Sequence, residues 1–365
     1  MSARIDAFLE MGRKQGASDI HFASGSSPLL RVLGELKPIR FRPLGAREVE
    51  TLIDEILSPE QRRTLAEDWN LDFAYTSEKV GRFRGNVFRK TSGLGATFRV
   101  TPTKVPSLLE LGLPPVVQTF AEARQGLVLV TGSAGSGKST TLAAMVGFLN
   151  RSRKLNIITL EDPIEYVHES AESLVIQREV GSHVQDFAAG LKAALREDPD
   201  VILVGELRDL ETISLAMVAA ETGHLVLGTL HTTSAAKTLD RILDVMPAQQ
   251  KGQAAIFLAQ HLRGVVSQRL VRTPEGGQRK AIVEILVNTP AIANLILNRK
   301  IFLVPDRIQT GSEHGMQRMD RALLEALKRH EIDPNDAYLS AEDKRLFQSY
   351  VTDPSILPQV SMVGP

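Results

Sequence analysis

The chain has 365 residues, of which 43% are apolar and 24% charged, and it contains no cysteine. This excludes disordered, collagen-like and disulfide-stapled proteins, together with any thiolate nucleophile or Cys-ligated metal centre. Its 43 basic residues balance 43 acidic ones, so bulk charge gives no support for a nucleic-acid partner.

The length fits two domains. No stretch approaches the roughly 20 apolar residues of a membrane helix. Met1-Ser2-Ala3-Arg4-Ile5-Asp6 opens without the apolar core of a signal peptide. A cytoplasmic protein is the expectation, with any membrane contact peripheral and no transmembrane segment.

Residues 1–100 read as a small α+β domain. Ile5, Phe8, Leu9 and Gly12 recur at helical spacing, and Ile20 and Phe22 alternate around His21 as in a strand. Leu29 to Ile39 predicts a hairpin turning near Gly34-Glu35. Val49, Leu52, Ile53, Ile56 and Leu57 mark an amphipathic helix, and Leu71, Phe73 and Tyr75 alternate again. Arg82 to Arg89 and Ala96 to Val100 predict a second hairpin around Thr91-Ser92-Gly93-Leu94-Gly95. Residues 101–115 carry Pro102, Pro106, Pro114 and Pro115, which disfavour helix and mark a linker.

From about 116 to 365 short apolar strands alternate with helices, the pattern of a parallel sheet with crossover helices. Strands are expected at 127–130, 156–160, 201–204 and 225–230, with Ile282 to Val287 as an edge strand. Met319, Leu323, Leu324 and Leu327 form the stripe of a packing helix. The tail after Asp353, with Pro354, Pro358 and Pro365, is expected to fray.

The strongest chemical signal is Gly132-Ser133-Ala134-Gly135-Ser136-Gly137-Lys138-Ser139, followed by Thr140. It fits G-x-x-x-x-G-K-[ST], with an apolar strand before it and a helix after it. Its glycines let backbone N–H groups curl around phosphate oxygens at a helix N-terminus. Lys138 is placed to reach the β- and γ-phosphates of a nucleotide such as ATP, and Ser139 to ligate Mg²⁺. A second signal is Val201-Ile202-Leu203-Val204-Gly205-Glu206-Leu207-Arg208-Asp209, an apolar strand ending on an acid that can hold the cation or polarise water. A third is Glu161-Asp162-Pro163-Ile164-Glu165, three acids after one apolar strand, read either as an acidic box beside Mg-ATP or as a solvated loop.

Two histidines bracket a fourth strand. His231 falls on the same sheet edge as Glu165 and Glu206, placed to sense a γ-phosphate, while His224 at the strand's start reads as structural. Finally, seven basic residues and one acid, Glu78, lie between Glu78 and Lys104. Arg82 and Arg84 share one strand face there. They read as a solvated basic face or as arginine fingers reaching a neighbouring subunit's ATP.

In this order the P-loop, the Glu161–Glu165 acidic box, Gly205-Glu206-Leu207-Arg208-Asp209 and Gly223-His224…Leu230-His231-Thr232 resemble secretion ATPases of the type II/type IV pilus superfamily, in particular its twitching-motility, pilus-retraction branch. The resemblance runs from Ala17-Ser18-Asp19-Ile20-His21 to Met316-Gln317-Arg318-Met319-Asp320. It implies a PAS-like N-terminal domain followed by a RecA-like P-loop ATPase domain with C-terminal helices. It also implies a homohexamer with ATP near the interdomain and intersubunit cleft, an inner-membrane pilus platform protein as partner, and a peripheral position at that membrane. Carried over, Lys138 and Ser139 bind phosphate and Mg²⁺. Glu206 is the cation-associated Walker B acid, Glu165 helps activate water, and His231 is the sensor.

Assembly and type II secretion members usually have an extra N-terminal domain and a four-cysteine motif, which favours the retraction branch here. That branch usually reads Ala-Ile-Arg-Asn-Leu-Ile-Arg where this chain has Ala291-Ile292-Ala293-Asn294-Leu295-Ile296-Leu297, and Pro-Thr where it has Ser133-Ala134. An accessory paralogue or an extension motor is the alternative, and a RecA-like nucleic-acid motor the alternative from another class.

Overall fold

The computed structural model describes residues 3–358 apart from 33, 78 and 103, so Met1, Ser2, Glu78 and Pro365 lie outside the described residues. It divides into two compact units, Met1–Lys104 and Val105–Pro365.

The first unit is a six-stranded antiparallel sheet of β1 (Asp19–Ala23), β2 (Leu29–Val32), β3 (Glu35–Pro38), β4 (Asn70–Ser77), β5 (Gly81–Lys90) and β6 (Gly93–Val100). The spatial order is β3-β2-β1-β6-β5-β4. Alternating apolar residues put Ile20, Phe22, Phe83, Val87 and Phe98 on the buried face, against Leu9, Val49 and Ile53 of the helices Asp6–Lys14 and Ala46–Asp54. Ile56 and Leu57 lie past the end of the second helix, although Leu57 is still buried. The β5–β6 connection is tighter than its glycines suggest. Lys90 pairs directly with Gly93, leaving Thr91-Ser92 as a two-residue turn. A further helix, Pro59–Asp68, starts where Ser58 and Gln61 cap each other reciprocally and proline occupies the first turn.

The second unit is a seven-stranded sheet of β7 (Gly126–Thr131), β8 (Asn156–Glu161), β9 (Leu174–Glu179), β10 (Val201–Val204), β11 (Leu225–Leu230), β12 (Leu262–Arg272) and β13 (Arg279–Val287). The order is β13-β12-β7-β11-β10-β8-β9. Every neighbouring pair is parallel except β12–β13. β7, β10 and β11 are buried at every position, as strands covered on both faces must be. The helix Lys138–Ser152 packs Leu142, Met145, Val146 and Leu149 with Val128 and Val130 on one face. On the other, helices Phe187–Ala194, Leu210–Glu221, Ala235–Val245 and Lys251–His261 pack with Leu127 and Leu129.

Helix Met319–Lys328 packs Leu323 and Leu327 with Tyr338, Phe347 and the strand residues Val271 and Ile282. Among the described residues no helix is long and apolar enough to cross a membrane.

The two strands that the apolar pattern did not reveal are β9 and β12. β12 carries Arg263, Arg269 and Arg272 and breaks its alternation at Gly264, where the register against β7 shifts. Gly264 has no room for a side chain, because a Cβ there would run into the Phe120 ring.

Leu129, fully buried on β7, tests this core. Leu129→Ala should lower the stability of the second unit by roughly 2–5 kcal/mol, read as an earlier transition in denaturant unfolding.

Candidate active site

β7 ends at Thr131, and the chain turns at once through Gly132 (φ 149°) and, five residues on, Gly137 (φ 87°). Side chains avoid both conformations, so glycine is required at each. Gly137 precedes the helix Lys138–Ser152, which starts without a side-chain cap. Its first N–H groups are therefore available to an anion. Ser133, Ala134 and Gly135 form the exposed crest of the loop, and Ser136 Oγ is buried with no hydrogen-bond partner among the described residues. Lys138 curls back under the crest, donating from Nζ to the carbonyl oxygens of Gly132 and Ser133 at 2.9 Å each. Burial pulls its pKa below the usual lysine value, against the opposing pull of Glu206 and Glu165. A buried cation facing two acids, beside a helix N-terminus without a side-chain cap, fits polyphosphate.

Ser139, Glu161, Asp162, Glu165, Glu206 and Arg208 line one cavity of about 80 Å³ beside the loop. Glu206 follows β10 by two residues. Burial raises its pKa, but the hydrogen bond and charge of Arg208 and the nearby His231 outweigh this and hold it below the ordinary glutamate value. Arg208 Nε lies 2.7 Å from Glu206 Oε1, and His231 Nε2 lies 3.4 Å from the same oxygen. His231 is thus on the acid's side of the site. His224 is at the other end of β11, its Nδ1 2.8 Å from the Ala219 carbonyl oxygen.

The three acids at and after the end of β8 are not equivalent. Glu161 accepts hydrogen bonds from Thr159 Oγ1 (2.6 Å) and Gln177 Nε2 (3.0 Å), and burial pushes its pKa up. Asp162 and Glu165 are exposed at the rim. Their loop is shaped from β9. Gln177 donates to the Tyr166 carbonyl and accepts from the His168 backbone N–H, while Glu179 accepts from the Ile164 N–H. Thr140 Oγ1 lies 3.0 Å from the Tyr166 hydroxyl, joining the loop to the helix of the P-loop.

Arg82 and Arg84 lie on β5 of the first unit, Arg84 exposed and Arg82 half-buried. The cavity's lining belongs wholly to the second unit. Sequence reasoning assigned no role to Arg208, Gln177 or Gln268, the last buried on β12 against the P-loop. The short spacing Glu206-Leu207-Arg208 was the available signal for the first. Nothing local marks the other two. Among the described residues no cluster of three His, Asp or Glu side chains could hold a metal by itself. A cation here would depend on Ser139, one or two carboxylates and phosphate oxygens, which is the habit of Mg²⁺.

Comparison with known proteins agrees with this geometry. Residues 2–315 match the family described as type II/IV secretion system protein. The chain is 50% identical over 319 residues to the type IV pilus retraction ATPase PilT of Pseudomonas aeruginosa, covering 87% of this chain and 92% of the relative. It is 38% identical over 345 residues to the type IV pilus ATPase PilU of the same organism, covering 94% and 90%. A crystal structure of the pilus retraction motor PilT with bound ADP superposes with a TM-score of 0.89 at 41% identity, covering 95% of this chain and all of that one.

His168, in the cavity wall, titrates abnormally. Burial, with a smaller push from Arg151, lowers its pKa to about 4 from an ordinary 6.5. The unfolded chain therefore binds the proton first as pH falls. His168 costs nothing above pH 6.5, and native stability declines between pH 6.5 and 4, by roughly 2–3 kcal/mol at most. His168→Gln should flatten that decline in unfolding measured across the same range, and an unchanged slope would refute the assignment.

Proposed function

The chain belongs to the type II/IV secretion system protein family, and we propose that it is a Mg²⁺-dependent ATPase motor that drives type IV pilus retraction. The observation that carries the reading is the convergence of Ser139, Glu161, Glu165 and Glu206 on one cavity beside a P-loop whose Lys138 faces Glu165 and Glu206. In this reading Ser133 to Thr140 cradle the phosphates with their backbone N–H groups, and Lys138 spans the β- and γ-phosphates. Ser139 and Glu206 would hold the Mg²⁺. Glu165 orients the attacking water, and His231, already beside Glu206, reads the γ-phosphate. The bound cation supplies neutralisation of charge on the transferring phosphoryl group. A depression of about 500 Å³ bordered by Gly137, Thr140, Leu270 and Arg279 offers room for the nucleoside.

The assembly belongs to the same proposal: a cytoplasmic homohexamer, peripheral at the inner membrane and seated on a pilus platform protein. The names of the PilT relative and of the ADP-bound neighbour support retraction. An accessory motor is the second reading. It is favoured by Ala293 and Leu297 standing where the retraction branch has arginines, and by the long match to PilU.

Lys138→Ala should abolish nucleotide binding or turnover in a phosphate-release assay. Glu206→Gln should retain binding and lose turnover by about two to three orders of magnitude. In the source cell, Glu206→Gln in place of the wild-type copy should leave excess surface pili and no twitching. Unchanged motility would instead support the accessory reading, and bald cells an extension motor.

Arg82 and Arg84 are proposed to act on the neighbouring subunit's ATP. Mixing Lys138→Ala subunits with Arg82→Ala/Arg84→Ala subunits should then restore part of the turnover, and no rescue at any ratio would exclude it.

A further inference from the structure

β12 does more than extend the sheet beside β7. Ser267 pairs with Thr131, so the next residue, Gln268, stands beside the first residue of the P-loop. Its side chain is buried, with 3% of the residue exposed. Gln268 Nε2 donates to the Ser136 carbonyl oxygen at 2.8 Å, and Gln268 Oε1 accepts from Thr141 Oγ1 at 2.7 Å. The carbonyl can only accept, which fixes the amide's orientation: NH₂ to the loop, oxygen to the helix. One side chain thereby ties the P-loop to the fourth residue of its own helix.

The same residue also walls in both end glycines. A Cβ on Gly137 would fall 2.7 Å from Gln268 Nε2, and one on Gly132 would run into the Gln268 backbone carbonyl. In a trans peptide C=O and N–H point in opposite directions. With the Ser136 carbonyl held against β12, the Gly137 N–H of that peptide points away from β12.

We propose that Gln268 is a positioning residue for nucleotide binding, setting the Ser136-Gly137 peptide so that its N–H is presented to phosphate. The inference rests on the ATP-binding reading above. Gln268 acts through the loop, which holds phosphate in ground and transition states alike. Its loss should therefore weaken binding with little effect on the chemical step.

The test uses the full chain and two readouts, Mg-ADP affinity by calorimetry and steady-state ATP turnover, each beside a melting curve. Gln268→Met keeps the volume and removes both hydrogen bonds. Its Kd for Mg-ADP and KM for ATP should rise about tenfold, with kcat falling less than threefold. Gln268→Leu likewise removes both hydrogen bonds at a similar volume. It should show the same rise in Kd, and it serves as the test if the methionine variant does not fold. Thr141→Val combined with Gln268→Met should be no worse than Gln268→Met alone, because both act on one linkage.

Val265→Ala, a buried change elsewhere on β12, should lower the melting temperature without moving Kd. A Kd within twofold of wild type in a folded Gln268 variant overturns the proposal, as does an equal Kd shift in Val265→Ala. A wild-type chain that binds no Mg-ADP overturns both this inference and the nucleotide reading. Binding without turnover overturns only the ATPase reading, since the Kd comparison still stands.

Discussion

β7 is hydrogen-bonded along its length to β11 on one side and β12 on the other, with all six of its residues buried. The positions of the functional loops follow from that pairing. β11 pairs in turn with β10, and β10 with β8, all parallel, so the carboxyl ends of four strands reach one edge of the sheet. Lys138, Glu165, Glu206 and His231 come from the connections leaving that edge, where open α/β sheets bind their ligands. A register slip of one residue would turn every inward side chain to the other face. The apolar packing of Val128, Leu129 and their neighbours therefore fixes the site's geometry as firmly as any polar contact within it.

Polar groups beneath the edge reinforce this arrangement. Thr131, Ser267 and Glu284 occupy paired positions across β7, β12 and β13. Thr131 Oγ1 lies 2.9 Å from Ser267 Oγ, and Thr238 Oγ1 lies 2.7 Å from Thr232 Oγ1, one residue past His231. Glu284, 2% exposed, accepts from the Ala235 N–H at the start of the helix Ala235–Val245. Burial raises its pKa despite that bond and the nearby Arg318. The loop carrying His231 and the strand feeding the P-loop thus rest on one hydroxyl-and-carboxyl row. Movement of either would disturb buried hydrogen bonds whose loss is costly.

What the sequence disclosed reflects where its signals are local. The P-loop is contiguous, an unbroken apolar run precedes it and a helix with an apolar face follows it, and its glycines are demanded by backbone conformation. Glu206 was legible as the acid ending an apolar strand. Helix Pro59–Asp68 had its signature in Ser58-Pro59-Glu60-Gln61, a cap and a first-turn proline that went unread because the segment's apolar stripe is weak. Gln268 had no such signature. It is a lone amide in the arginine-bearing strand β12, and it meets Ser136 and Thr141 only because that strand pairs beside β7. The acidic box illustrates the same limit. Glu161 and Glu165 look equivalent in sequence, yet Thr159 and Gln177 enclose one and leave the other at the rim.

The departures at Ala293 and Leu297 acquire a physical meaning from the same topology. Helix Pro290–Leu297 buries Ile292 and Ile296 and leaves Leu297 exposed. Ala293 borders a groove of about 1010 Å³ shared with Arg124, Gln125, Arg263 and Asn288. Gln125 immediately precedes β7, so this groove opens at the amino end of the strand whose carboxyl end carries the P-loop. Six residues of extended strand separate the two by about 20 Å. Ala293 and Leu297 stand four residues apart on helix Pro290–Leu297, and neither lines the cavity that holds Ser139, Glu165 and Glu206. The groups that contact phosphate in the proposed mechanism all leave the carboxyl edge of the sheet, so side chains bordering the groove at the amino end of β7 can change without disturbing them.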